Sequence, residues 1–380
     1  MKSNNTKTLF PELLTTIPKT QAIKYTGSKL KLLPQIISLV EGLDIKTVLD
    51  GFAGTTRVSQ AFSQLGFQVT SNDISDWSYI LGTCYLKNNK DKSYYKELIN
   101  HLNSTKPVSG WFTEYYGGIV DKNGYATGKD GGKKPWQAHN TKKLDAIRNE
   151  IDNLCLDEID KSVALTSLIL AMDKVDSTLG HYTSYLKSWS ARSFNNMELE
   201  VPNLFMNKKE NIIIQDDIFN TIKESKPDFA YFDPPYGSSN DKMPASRVRY
   251  ASYYHIWTTI IKNDKPEVFG KAMRRKDSSD TQSISKFEEF RKDTNGKFAV
   301  INTIDKLIEK TNAKYIAFSY SSGGRANMEE LKNILSKHGK LLKMIAIDYK
   351  KNVMANMSWT NQWVNDNQKQ NQEFIFLLKK

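Results

Sequence analysis

The sequence predicts an α/β fold built on a mostly parallel sheet. Three observations carry that expectation. Short apolar runs end in acidic or glycine-rich turns. One early segment reads strand, loop, helix, strand. Later apolar runs repeat the same acidic ending.

Thr47-Val48-Leu49-Asp50 has the make-up of a short buried strand and runs into the turn Gly51-Phe52-Ala53-Gly54-Thr55-Thr56. Val58, Ala61, Phe62 and Leu65 then recur at helical spacing, and Gly66 supplies a stop in the position just past a helix end. Phe67 to Ser71 resumes as a strand and meets Asn72-Asp73. Further strands are expected at Asn211–Ile214 before Asp216-Asp217, at Phe229–Phe232 before Asp233, and at Tyr315–Tyr320 before Ser321. Lys343–Tyr349 and Glu373–Leu378 are expected to pair as an antiparallel hairpin at the sheet edge, with Asn361–Gln372 as a solvated loop. The stretches from about 77 to 206 and from about 237 to 312 are too long for ordinary connections and read as functional insertions.

The chain has 380 residues and a formal net charge of +12, a balance that favours polyanions because each neutralised phosphate releases counterions. No apolar run approaches the roughly 20 residues of a spanning helix, and Met1 to Lys24 lacks the apolar core of a secretory signal. A cytoplasmic protein with no membrane partner is the expectation. Cys84 and Cys155 stand far apart with no ligand spacing around them, so neither a zinc site nor a disulfide framework is expected.

Asp233-Pro234-Pro235-Tyr236 is the sharpest chemical signal. It follows an apolar strand directly, which puts it at the carboxyl edge where open α/β sheets bind ligands. An exocyclic amine on a nucleobase is a poor nucleophile, because its lone pair is delocalised into the ring. Two acceptors aimed at its hydrogens localise that pair. Asp233 can supply one acceptor and the Pro234 carbonyl the other, with the prolines stiffening both. Tyr236 can stack on a base drawn out of its helix. The plain alternative is a strand-ending turn, since Asp-Pro is common there.

Around the first strand, Gly51 and Gly54 let backbone approach a ligand, and the next helix offers its N-terminus to a carboxylate. The loop is not the GxGxxG of dinucleotide folds. Asp73 can accept from ribose hydroxyls, or can serve as an ordinary helix cap. Of the pair Asp216-Asp217, Asp217 is the better candidate for a purine amine, with Ile218 and Phe219 placed to flank the ring.

Taken in order, Lys24-Tyr25-Thr26-Gly27-Ser28-Lys29, Phe52-Ala53-Gly54, Asn72-Asp73 and Asp233-Pro234-Pro235-Tyr236 resemble the Dam-like, alpha-group DNA adenine-N6 methyltransferases. The matching blocks cover about half the chain. The resemblance implies a Rossmann-like methyltransferase sheet that uses S-adenosyl-L-methionine, with an inserted, mostly helical DNA-recognition domain. It implies a cofactor pocket lined by Tyr25, Lys29, Phe52, Gly54 and Asp73. With the loop reading, the expected cofactor set is Tyr25, Lys29, Asp50, Phe52, Ala53, Gly54, Thr55, Thr56, Asp73 and Asp217. Two departures stand out. Gly51 occupies a place where proline or another residue is usual, and Thr56 replaces a frequent glycine. The domain expectation is residues 1–76 as the cofactor motif and first half of the catalytic domain, 77–206 as the recognition insertion, and 207–380 as the second half with a DNA-contacting insertion at about 237–312.

DNA contacts are expected mainly from the insertions. Lys129, Lys133, Lys134, Lys142 and Lys143 form a basic stretch beside Trp136 and His139, suited to phosphates or to a solvated face. His181 and Tyr182 follow an apolar helix at Val163–Met172 and could touch DNA or sit in the interior. Arg247, Arg249, Tyr250, Tyr253, Tyr254 and His255 lie just beyond the tetrapeptide, where a loop could close over extruded DNA, and Arg274, Arg275 and Lys276 form a shorter basic cluster. The function expected is site-specific adenine-N6 methylation of double-stranded DNA by base flipping, without a metal, by a monomer working beside a cognate restriction endonuclease. The alternatives are a cytosine-N4 enzyme, an RNA or protein-amide methyltransferase, and a catalytically inactive DNA-binding relative.

Overall fold

The computed structural model describes residues 17–128, 130–237, 249–279, 285–294, 296–349 and 371–380. In chain order the strands are β1 (Thr47–Asp50), β2 (Gln68–Asn72), β3 (Gly117–Val120), β4 (Ala126–Thr127), β5 (Trp136–Gln137), β6 (Ile212–Ile214), β7 (Phe229–Phe232), β8 (Val268–Phe269), β9 (Arg274–Arg275), β10 (Tyr315–Ser321), β11 (Lys340–Tyr349) and β12 (Asn371–Lys379). The chain forms two compact units. One draws on residues 1–34, 53–217 and 250–283, the other on 35–52, 218–249 and 284–380.

The second of these units carries strands in the order β11-β12-β10-β7-β1. β7 pairs in parallel with β1 (Leu49 opposite Ala230) and with β10 (Phe232 opposite Phe318). All four residues of β7 are buried, as a parallel strand covered on both faces requires. The helices Ala299–Lys310 and Met328–His338 supply that cover on the face of Ala230 and Phe232. Val300, Ile304, Leu307 and Ile308 of the first share a core with Leu49, Ala230, Phe232, Ile316 and Phe318, joined by Leu331 and Leu335 of the second. Asn327 and Glu330 form a reciprocal capping box that starts the second helix. The expected hairpin is present, with β12 seated between β10 and β11. Its last strand therefore lies directly against β10, which brings Glu373 opposite Ser321.

In the other unit β2 pairs in parallel with β6, Thr70 opposite Ile212. The helix Arg57–Gln64 buries Val58, Ala61 and Phe62, and Gly66 ends the segment at φ +94°. Helices Lys92–Ser104, Ala138–Asn153 and Glu158–Lys174 form most of the long insertion, with the small sheet β4-β3-β5 beside them. Glu158–Lys174 buries side chains nearly all round, the pattern of a helix inside a core rather than on a surface. Trp136, Leu144, Ile147, Leu165, Leu168 and Trp257 meet there. No helix among the described residues is long and apolar enough to cross a membrane.

Candidate active site

The tetrapeptide leaves β7 where the sequence places it, and each of its neighbours has a structural reason. Gly51 donates its N–H to the Tyr231 carbonyl at 2.9 Å, continuing the β1–β7 ladder past its last paired residues. A Cβ on Gly51 would come within 2.6 Å of the Phe232 ring and 2.9 Å of Ile218, so the position where proline or another residue is usual is here a close approach. Phe52 packs edge-on against Phe232 at 6.2 Å and against Phe287 at 4.9 Å. Asp50 is buried at the end of β1.

Asp233 is part-exposed and Pro234 buried. The Tyr236 hydroxyl hydrogen-bonds both the Asp233 carboxylate and the Glu373 carboxylate. Glu373, buried on β12, is held in turn by the Ser319 hydroxyl at 2.8 Å. Burial, then the charges of Asp233 and Glu373, push the Tyr236 phenol well above its ordinary pKa, so it stays protonated and donates. The Tyr236 ring packs tilted on Tyr320, centroids 4.8 Å apart, and the Tyr320 hydroxyl donates to the Tyr236 carbonyl at 3.1 Å. Sequence reasoning missed Glu373 because its place depends on a strand that returns from the far end of the chain. An acid facing inward in an otherwise apolar strand was the one signal available.

In the other unit the loop Ala53–Thr56 is built as a cradle. Ala53 donates its N–H to Asn72 at 2.9 Å, and Gly54 donates to the Asp73 carboxylate at 2.8 Å from a left-handed backbone, φ +53°. The Tyr25 ring lies over Gly54, where a Cβ would meet it at 3.3 Å. Tyr25 itself is stacked on Tyr254 at 4.5 Å and on Tyr250 at 5.3 Å. Arg57, unassigned from sequence, explains how Tyr25 gets there. Its guanidinium donates to the carbonyls of Thr20 at 2.9 Å and Ala22 at 3.2 Å, and Gln60 exchanges two hydrogen bonds with the Gln21 backbone. Thr56 adopts φ +60°, so the threonine that replaces a frequent glycine occupies the glycine conformation, with its hydroxyl accepting from Gln60 at 3.0 Å. Thr55 and Thr56 are buried.

Asp73 is part-exposed and also accepts from the Ser75 N–H and hydroxyl at 2.9 and 2.7 Å. About four acceptor positions exist on a carboxylate, so Asp73 keeps room for about one further donor. Lys29 is buried, its ammonium reaching the Gly27 carbonyl at 3.2 Å. Asp217 is part-exposed after β6. Ile218, expected to flank a purine, is instead 4% exposed in the core, because it opens the helix Ile218–Glu224. Phe219 is the half-buried neighbour, stacked on Phe287.

Several expected DNA contacts are part of the fold instead. Lys134 is 2% exposed and donates to the Tyr115 carbonyl at 2.9 Å and to Asp130 at 3.0 Å. Tyr182 is packed between Trp136 and Trp257, and Tyr254 accepts the Thr26 N–H at 2.7 Å from full burial. His181 is buried against the Tyr253 ring, 4.6 Å away, and burial lowers its pKa. Arg249 is buried, Lys143 caps backbone carbonyls of Asn103 and Thr105, and Arg275 is paired with Asp264 and Asp277. Lys133 and Lys142 are exposed and Tyr253 is half-buried. Lys129, Arg247 and the Asn361–Gln370 part of the expected loop lie outside the described residues.

An α/β sheet that presents Asp-Pro-Pro-Tyr at a strand end, in a chain with a glycine cradle followed by a strand-ending Asp, defines the amino-methyltransferase class. Residues 25–334 match the family described as D12 class N6 adenine-specific DNA methyltransferase, and the chain belongs to it. It is 28% identical to the modification methylase StsI of Streptococcus sanguinis, over 88% of this chain and 50% of that one. It is 28% identical to the type II methyltransferase M.FokI of Planomicrobium okeanokoites, over 83% of this chain and 47% of that one. With M.NlaIII of Neisseria lactamica the identity is again 28%, over 84% of this chain and 89% of the relative. The chain thus spans about half the length of the StsI and FokI methylases.

Proposed function

We propose that the chain methylates N6 of adenine in double-stranded DNA, by base flipping, with S-adenosyl-L-methionine as donor. The observation that carries this reading is the part-exposed Asp233 carboxylate at the end of β7, held by Tyr236 inside a chain of the adenine-specific family. Asp233 and the Pro234 carbonyl accept the two amine hydrogens and draw the nitrogen toward tetrahedral geometry, which restores its lone pair. The rigid Pro-Pro backbone keeps both acceptors aimed. Tyr236 orients Asp233 through its hydroxyl and offers its ring to the flipped base. When bound, S-adenosyl-L-methionine supplies a methyl group on a sulfonium, whose neutral leaving sulfide needs no metal. Tyr25, Lys29, Asp50, Phe52, Ala53, Gly54, Thr55, Thr56, Asp73 and Asp217 are the residues assigned to it. The cradle fits that group: Gly54 opens the backbone beneath an aromatic ring, and Asp73 retains an acceptor for a sugar hydroxyl. The reading extends to a modification enzyme of the cytoplasm, monomeric, paired with a restriction endonuclease that reads the same site.

Mass spectrometry of nucleosides from DNA incubated with protein and donor tests the reaction. N6-methyladenine is the expected product, and N4-methylcytosine in its place would overturn the assignment of target. Asp233→Ala should cut turnover by about a hundred-fold or more while calorimetric binding of the donor persists. Full turnover by that variant would remove Asp233 from the mechanism.

A further inference from the structure

The guanidinium of Arg325 is buried, and none of its nitrogens has a hydrogen-bond partner among the described residues. Arginine cannot escape by releasing its proton, so an unpaired guanidinium out of water is a heavy cost that a fold does not carry without return. Its position is fixed by the active site. The Arg325 N–H donates to the Tyr236 carbonyl at 3.1 Å, the same oxygen that Tyr320 holds. A Cβ on Gly237 would stand 2.2 Å from Nη1, so the glycine after the tetrapeptide is what makes room for the charge. Tyr236 and Gly237 are part-exposed, which puts the guanidinium just beneath the surface that carries the reacting groups.

The surroundings do not neutralise it. Burial lowers the Arg325 pKa, Tyr320 opposes that shift, and the charge of Arg249, a second buried arginine, adds to it. Glu288 and Glu289 oppose the shift by charge without hydrogen-bonding the guanidinium. The first caps the Ser285 N–H at 3.1 Å, and the second is paired with Arg291 at 2.6 Å.

We propose that Arg325 binds a phosphate of the DNA strand that carries the target base, holding the backbone beside the tetrapeptide while the base is extruded. This deepens the DNA-methylation reading and rests on it. A phosphate oxygen pair matches the planar guanidinium bidentately, and it arrives only with substrate. The arginine is therefore a binding and positioning residue whose partner is missing from the protein alone.

The test uses the full chain, the variants Arg325→Met and Arg325→Lys, and a duplex carrying the methylated site mapped by modified-base sequencing. Arg325→Met should weaken duplex binding by about ten-fold and flatten the log–log salt dependence by about one ion. Donor binding should be unchanged and the melting temperature equal to or above that of the parent, because an uncompensated buried charge has been removed. Arg325→Lys should restore the salt slope but not the full affinity. Unchanged duplex affinity, weakened donor binding, or an Arg325→Met protein that melts lower or does not fold would each overturn the proposal. The last two outcomes would assign the arginine to the donor or to the fold. A parent protein that methylates no DNA refutes the proposed function itself. A parent that does, beside an Arg325→Met variant that equals it, refutes only the phosphate contact.

Discussion

The hydroxyl of Tyr236 hydrogen-bonds the carboxylate of Glu373, a residue 137 positions away that reaches it from the last strand. The same hydroxyl meets Asp233, and Ser319 donates to the same Glu373 oxygen. Both carboxylates accept at the one Tyr236 hydroxyl, so Glu373 helps to fix the phenol that holds Asp233. Glu373→Ala should lower kcat by about ten-fold, with donor affinity unchanged, because Tyr236 loses its anchor and no longer aims Asp233. Glu373→Gln should keep most activity, since its amide oxygen in the Oε1 position can still accept from both Ser319 and Tyr236. In a Tyr236→Phe background the Glu373→Ala change should cost nothing further. Steady-state kinetics on the four proteins measure this, and additive losses would separate Glu373 from Tyr236.

Gly54 joins a constrained backbone to the proposed donor site. Its φ of +53° disfavours any side chain, and a Cβ would press on Tyr25 at 3.3 Å. Left-handed backbone costs an ordinary residue roughly 1–2 kcal/mol. Gly54→Ala should therefore displace the loop or the ring and weaken donor binding about ten-fold, read by calorimetry. An alanine variant that binds the donor as the parent does would show that the cradle is not where the donor sits.

Much of the fold was legible in the sequence, because buried parallel strands are apolar runs with abrupt acidic ends, and helix Arg57–Gln64 has a clean apolar spacing. The tetrapeptide and the Gly54 turn were legible for the same reason: their chemistry is local. The DNA-facing surface was not, since a lysine in a sequence does not disclose whether its ammonium meets water or a carbonyl. Lys133 and Lys134 are neighbours with opposite fates, one exposed and one buried on Tyr115 and Asp130. Lys134→Met should leave the salt dependence of DNA binding intact and lower the melting temperature, whereas Lys133→Gln should spare stability. Equal melting temperatures for the two variants would contradict the buried role of Lys134.

Asp173 and His255, both desolvated by the fold, should give opposing pH dependences to stability. Desolvation raises the Asp173 carboxyl to about 7, against the pull of the Lys24 ammonium and with the push of Asp176. The folded state then holds a proton there that the unfolded chain has released, so this contribution is present below about pH 4 and is lost as pH rises toward 7. Burial lowers the His255 imidazole to about 3, its Nε2 engaged with the Tyr182 carbonyl at 3.0 Å. Here the unfolded chain binds the extra proton, so the contribution is present above about pH 6.5 and is lost as pH falls. Between about pH 4 and 6.5 the two slopes cancel. Asp173→Asn should leave stability rising with pH across that window by about 1.4 kcal/mol per pH unit, and His255→Asn should leave it falling by about as much. Urea midpoints measured at half-unit steps read both slopes. Variants that keep the parent's profile would mean that neither group changes its protonation on unfolding in this range.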